Sequence, residues 1–249
     1  MARRIPEGPP PPPAVQKLRI RYAKRGRLRF SSTRDFARAL ERALRRSGVP
    51  MAFSAGFHPH PKISYANAAP TGTASEAEYF EISVTERVDP EALRLALDEA
   101  LPPDLDVVEV VEAGPGSLAE RLEASVWHLE MRSVPVEVLT YAVERFLAVE
   151  RAEVTRTFKT GPRTFDVRSA VVSMVVTESQ DPSCAILTMV VRHTTPSVRP
   201  DDILTALHAV SELRAPVPPL VTRLAQGPLL AAAAGVADPL AADKDAIGP

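Results

Sequence analysis

Apolar and charged residues alternate through Leu18, Arg19, Ile20, Arg21 and Tyr22, the two-residue period of a strand with one face in the core and one in water. After Lys24-Arg25-Gly26 the alternation resumes as Arg27-Leu28-Arg29-Phe30. This predicts a hairpin whose wet face is arginine. Phe36, Leu40, Ala43 and Leu44 then recur at helical spacing, from a start signal of Ser32 with Asp35 three residues on to a stop at Gly48 and Pro50. A helix over Thr33 to Ser47 follows. Downstream the pattern predicts a loop at Phe53 to Pro61 and strands at Lys62 to Ala68 and Phe80 to Val84. A helix opened by Asp89-Pro90 and stopped by Pro102-Pro103 comes next, then a strand at Leu105 to Glu112.

The second half repeats that order. A strand at Val126 to Arg132 precedes a helix at Val136 to Val149 and a β-rich stretch at Val154 to Thr177 with a Gly161-Pro162 turn. A strand at Ala185 to Thr194, a helix at Asp201 to Leu213 and a strand at Leu220 to Ala225 complete it. The expected class is α+β, with two tandem ferredoxin-like (split βαβ) domains, 17–113 and 125–226, joined near Gly114-Pro115-Gly116. Residues 1–16, with their polyproline run, and the Ala-rich residues 227–249 have no amphipathic period and are expected to be disordered tails.

At 249 residues and 45% hydrophobic content the chain can bury a proper core. The single cysteine, Cys184, excludes an internal disulfide framework and a cysteine-rich zinc or iron–sulfur site supplied by this chain alone. No apolar run approaches about 18 residues and the N-terminus lacks an apolar signal core, so a cytoplasmic protein without membrane contact is expected. The net charge of -1 conceals a separation. Lys17 to Tyr65 holds thirteen Lys or Arg against two acids, and Ala66 to Glu120 holds two Arg against thirteen acids. Such a split marks either a polyanion-binding face or an internal pairing of the two segments.

On the first helix Arg34, Arg38, Arg42 and Arg45 recur at steps of four, four and three, with Arg46 beside them, so their guanidinium groups line one side. With Lys62, and with Arg19, Arg21, Arg27 and Arg29 of the preceding strands extending it, they form a candidate phosphate-contacting surface, because the arginine fork matches phosphate oxygens. A solvated face neutralised by nearby carboxylates is the structural alternative. Lys159, Arg163 and Arg168 could continue a basic surface on the second domain, or protect an edge strand by charge.

The stretch Phe53 to Pro61, FSAGFHPHP, is the most distinctive. Gly56 permits backbone conformations other residues resist, and each histidine precedes a proline and is held extended. His58 and His60 are therefore candidates for acid/base chemistry or phosphate contact. Two histidines one residue apart point to opposite sides of an extended chain and no third ligand is apparent, so no metal site is expected. A loop that caps the core with Phe53 and Phe57 is the plainer alternative. Gly72 and Ser75 could cradle an anion through backbone N–H groups, although the stretch lacks the lysine of a P-loop. Trp127, His128, His193 and His208 read as packing or surface residues.

Three motifs in order resemble one family. They are Leu40-Glu41-Arg42-Ala43-Leu44-Arg45-Arg46 with Pro50, then Ser54-Ala55-Gly56-Phe57-His58-Pro59-His60-Pro61-Lys62-Ile63-Ser64, then Gly72 with Ser75-Glu76-Ala77-Glu78-Tyr79. Over about residues 17–86 the chain resembles the radical-SAM-linked protein family, a bacterial domain-of-unknown-function family, some of whose members are fused to or encoded beside a radical SAM protein. That family often carries Ser-His-x-Asp before the first helix, where this chain has Ser32-Thr33-Arg34-Asp35. The resemblance implies a radical SAM partner and, from gene neighbourhoods with ribosomal proteins and ribonucleases, an RNA or ribosomal substrate. It implies no cofactor in this chain; an iron–sulfur cluster and S-adenosylmethionine belong to the partner. The expected function is a non-enzymatic, RNA-binding accessory. The alternatives are a metal-independent RNA-processing endonuclease using His58 or His60, because tandem ferredoxin-like domains also resemble CRISPR repeat-processing endonucleases, and a protein–protein adaptor.

Overall fold

The structure, a computed structural model, describes residues 11–181, 183–230, 232 and 234–245. The expected N-terminal tail falls outside these residues up to position 10, and Gln16, its last residue, already opens a strand and is buried. Among the described residues six α-helices and twelve strands give a mixed α+β fold. The chain forms two compact units, one running to Ala119 and including the chain again from Leu240, the other Glu120–Pro239.

The first unit contains β1 (Gln16–Lys24), α1 (Thr33–Arg46), β2 (Ile63–Ala66), β3 (Ala74–Val84), α2 (Pro90–Ala100) and β4 (Val107–Glu112). Its strands lie in the order β4-β1-β3-β2, and each neighbouring pair is antiparallel. Leu18, Ile20, Phe80 and Ile82 of the sheet are fully buried against Phe36, Leu40 and Leu44 of α1 and Leu97 of α2. The rings of Tyr22 and Phe36 stack at 4.1 Å between centroids, tying the helix to the sheet.

The expected capping box is present. The Asp35 N–H donates to Ser32 Oγ at 3.2 Å, and the Ser32 N–H returns a bond to Asp35 Oδ2 at 3.1 Å. The Ser32 hydroxyl and backbone amide hold the Asp35 carboxyl below its usual range, with Arg38 and Arg34 adding to the effect. Ser32→Ala should lower stability by about 1 kcal/mol, read as a shift of the urea midpoint at unchanged slope; an unshifted midpoint would show that the box contributes nothing.

Two sequence expectations fail between β1 and α1. Gly26 to Phe30 is a 3₁₀ turn with no buried residue, not a strand, and Phe30 is 59% exposed. Gly26 takes a positive φ of 47°, which turns the chain away from the sheet before a second arm can pair. The arginine face of β1 is not wet either. Arg19 is 1% exposed, its Nε donating to Glu81 across the strand pair at 2.9 Å.

In the second unit, after the single turn α3 (Leu118–Arg121), come β5 (Ala124–Arg132), α4 (Val136–Ala148), β6 (Glu153–Phe158), β7 (Gly161–Asp166), β8 (Val171–Glu178), β9 (Cys184–Arg192), α5 (Pro200–Ser211) and β10 (Leu220–Gly227). The strand order is β10-β5-β9-β8, again antiparallel throughout, while β6 and β7 form a separate hairpin. Leu129, Leu187, Phe146 and Ile203 lie in its core. The half-buried His193 bridges Leu122 and Ser125. Because a carbonyl only accepts, its Nδ1–H donates to Leu122 O at 2.6 Å, leaving Nε2 to accept from the Ser125 hydroxyl at 2.8 Å.

Burial holds the His193 imidazole below its ordinary value near 6.5, and the charge on Arg223 acts in the same direction. A depressed histidine binds its proton more readily unfolded than folded, so stability falls as pH drops from above 6.5 towards the folded value. The urea midpoint should therefore drop more between pH 7.5 and 5.5 in the wild type than in His193→Asn. Equal drops would refute the assignment.

Of the expected C-terminal tail, residues 231, 233 and 246–249 lie outside the described residues, and the rest is not a loose tail. The short strands β11 (Leu229–Leu230) and β12 (Gly235–Val236) pair with each other, and α6 (Ala241–Asp245) packs on β4 of the first unit. Asp243 is fully buried, with Oδ1 at 2.6 Å from Arg19 Nη1 and 2.9 Å from the Gly114 N–H. Arg19 Nη2 donates to the Gly116 carbonyl at 2.5 Å. The arginine that periodicity assigned to water is thus covered by a part of the chain 224 residues away.

A candidate polyanion face and cleft at the first helix

The cations of the first unit divide by the element that carries them. On β1, and at Arg25 directly after it, they are paired. Lys17 and Arg19 share Glu81, and Arg25 is held between Glu76 and Asp106. Arg21 donates to the Glu76 carbonyl at 2.9 Å. Further along, Arg87 pairs with Glu112 and Arg94 with Glu91. The carboxylates of the acidic segment therefore neutralise the sheet and its turns, not the first helix.

The α1 arginines point to solvent. Arg34, Arg38, Arg42, Arg45 and Arg46 are all exposed. Among the described residues Arg34, Arg38 and Arg42 have no carboxylate within ion-pair distance, and Arg45 meets Glu41 only at 4.0 Å. Such an exposed i,i+4 pair contributes a few tenths of a kcal/mol. Arg46 donates to the Ala100 carbonyl at the end of α2. Successive arginines four residues apart rise about 6 Å along the axis, so the row is a ladder of forks spaced on the scale of a nucleotide step.

Arg27 and Arg29 sit elsewhere, on the 3₁₀ turn before α1. Arg27 is exposed, whereas Arg29 is half-buried with its guanidinium 4.8 Å over the Phe30 ring and its Nε unpartnered. Lys62 is exposed at the foot of the His-Pro loop.

That loop is pinned at its mouth and open at its tip. Phe53 bridges Pro61, the Ser54 N–H donates to the His60 carbonyl at 2.8 Å, and the His60 N–H donates to Ser54 Oγ at 3.0 Å. Ala52 and Lys62 are bonded to each other and to Ser83 of β3. The side chains beyond the pin face water. Phe53 is 42% and Phe57 60% exposed, so the loop does not cap the core through them. His58 and His60 are both exposed and, among the described residues, neither imidazole has a partner. Gly56, at φ 135° with open space around it, forms part of the exposed tip.

His60, but not His58, lines a cleft of about 410 Å³ between the loop and the C-terminal half of α1. Leu44 and Met51 contribute apolar surface, Phe53 a ring, and Glu41 and Arg45 opposite charges. A second hollow, of about 250 Å³, is lined by Arg42, Arg45 and Arg46, so Arg45 belongs to both. Glu41 also makes itself felt at Tyr65, whose phenol is pushed up to about 12 by burial and by that carboxylate.

Gly72 and Ser75 do not form an anion cradle. The Gly72 N–H donates to the Arg29 carbonyl at 2.8 Å, and Ser75 is fully buried on β3 with its Oγ accepting from the Ala77 N–H. The two glutamates after Ser75 do not meet the arginine helix. Glu76 binds Arg25, and the buried Glu78 accepts from the Ala69 N–H at 3.0 Å.

In the second unit Arg156 and Arg163 lie over the Phe158 ring at 4.6 and 5.5 Å, and Arg156 also pairs with Asp202. Arg168 donates to the carbonyls of Val171 and Leu147. Of the three cations expected to extend a basic surface there, Lys159 and Arg163 are exposed and Arg168 is half-buried. Among the described residues no group of three His, Cys, Asp or Glu side chains has metal-ligating geometry, and no helix is long and apolar enough to cross a membrane.

Sequence reasoning found the arginine row and the histidine loop but missed the cleft between them. Its floor comes from Val49 and Met51, after the helix stop, and only their apolar character on either side of Pro50 could have signalled it. No curated protein matches the sequence. Residues 17–200, well beyond the span of the three motifs, match the family described as Uncharacterized protein conserved in bacteria (DUF2344), and the chain belongs to that family.

Proposed function

We propose that this protein is a non-enzymatic RNA-binding accessory that presents RNA or a ribosomal component to a radical SAM enzyme. The observation that carries the RNA part is the α1 row. Among the described residues Arg34, Arg38 and Arg42 are exposed without an ion pair, although thirteen carboxylates follow between Ala66 and Glu120. Cationic forks at regular spacing and without internal partners are what phosphate contact requires. In each unit the order of the main-sheet strands, the β6–β7 and β11–β12 pairs set aside, has the last strand beside the first and the third between the first and second, which supports a tandem ferredoxin-like reading. The radical SAM partner rests on the motif resemblance, and that partner would carry the iron–sulfur cluster and S-adenosylmethionine. The setting proposed is the cytoplasm.

Purification of the tagged chain from bacterial cells, followed by sequencing of bound nucleic acid and mass spectrometry of bound protein, tests this reading. RNA should co-purify with the wild type and be lost from Arg34→Ala/Arg38→Ala/Arg42→Ala/Arg45→Ala, and a radical SAM protein should appear in the protein fraction. Partners retained after nuclease treatment, with no RNA in the untreated sample, would favour the adaptor reading. The position of His60 in the cleft beside Arg45 favours one further reading, a metal-independent RNA endonuclease. Cleavage of the bound RNA that disappears in His58→Ala/His60→Ala would establish it, and an intact RNA would dismiss it.

A further inference from the structure

The cleft differs from the rest of the arginine face. Phosphate recognition alone needs no concavity, no apolar floor and no carboxylate, and the cleft beside Arg45 has all three. At about 410 Å³ it falls within the size range of small-ligand sites. The rings of Phe53 and His60 offer surfaces on which a planar base can stack. Glu41 carries an acceptor-only carboxylate whose one charged partner among the described residues, Arg45, stands 4.0 Å away, beyond hydrogen-bond range. A two-oxygen acceptor of this kind is matched by two adjacent N–H donors, which guanine presents on its Watson–Crick edge and uracil does not. Glu41 would repel a phosphate, but the adjoining hollow answers it with Arg42, Arg45 and Arg46.

We infer that this composite is a guanine-nucleotide site, with the base in the cleft against Phe53 and facing Glu41 and the phosphate on Arg42, Arg45 and Arg46. The inference deepens the RNA reading and rests on it for the source of the nucleotide, which is either a guanosine within single-stranded RNA or a free guanine nucleotide.

Calorimetric titration of the full chain with GMP, UMP and two eight-nucleotide single-stranded RNAs, one of uridines and one with a central guanosine, tests it. The guanosine-containing ligands should bind at least tenfold tighter than their uridine counterparts. Glu41→Gln should abolish that preference while leaving affinity for the uridine ligands unchanged or improved. Phe53→Ala should weaken the guanosine ligands about tenfold through lost stacking. Both side chains are partly exposed, and unchanged thermal melting confirms that the variants are folded. Preference seen only in the RNAs identifies the source as RNA. Preference of GMP over UMP without binding of either RNA keeps the site and removes the RNA reading. Equal affinity for guanosine and uridine RNAs removes the site and leaves the arginine-face reading standing; absence of all binding removes both.

Discussion

Asp243→Ala should destabilise the protein by about 3 kcal/mol, far more than an ordinary surface substitution does. Asp243 is fully buried and Arg19 is 1% exposed. Burial works against the guanidinium charge, yet the hydrogen bonds it donates to Asp243 and Glu81 outweigh this and raise the Arg19 pKa above its ordinary value. Removing Asp243 leaves Arg19 Nη1 and the Gly114 N–H without their acceptor, and an orphaned buried donor costs its desolvation. Glu81 remains, but it is already shared with Lys17. The loss should persist at high salt because the pair is shielded from solvent ions, and Arg19→Met/Asp243→Leu should recover much of it. Urea unfolding at low and high salt measures all three. An Asp243→Ala protein within about 0.5 kcal/mol of wild type, the range of an ordinary surface change, would mean that α6 is not docked in solution.

Replacing Arg34, Arg38, Arg42 and Arg45 together with alanine should lower affinity for single-stranded RNA about a thousandfold at 0.1 M salt. Each phosphate neutralised on a single strand contributes about 0.7 to the slope of log affinity against log salt, so four give a slope near -3. Over the decade from 1 M to 0.1 M salt that slope amounts to about three orders of magnitude. The fold should survive, because all four side chains are exposed and alanine is the best helix former. The loss should be similar across RNA sequences, since phosphate contacts position a ligand without reading it. A loss confined to guanosine-containing RNA would instead assign the arginines to the cleft.

Legibility followed the range of the interactions. α1 could be read because its cap, its apolar period and its stop at Gly48 all lie within sixteen residues of one another. β3 was read only from Phe80, yet it begins at Ala74. Its early polar positions look like a loop because their partners, Arg25 for Glu76 and the Ala69 N–H for Glu78, lie elsewhere in the sequence. The turn at Gly26 to Phe30 carries a strand's alternation over too few residues to overrule the bend at Gly26. Nothing near Arg19 marks it as buried, because the carboxylates that meet it, Glu81 and Asp243, lie 62 and 224 residues away. Of the candidate site, the exposed arginines and histidines announced themselves by residue type and spacing. The cleft did not, because it is made by the return of the chain after Pro50 against the helix.

RNA binding by this protein requires the α1 arginines to be free to meet phosphate, and filter binding of single-stranded RNA across a salt series measures that directly. The wild-type log–log slope should be steeper by about 3 than that of the four-arginine variant. A wild-type line as flat as the variant's would contradict it.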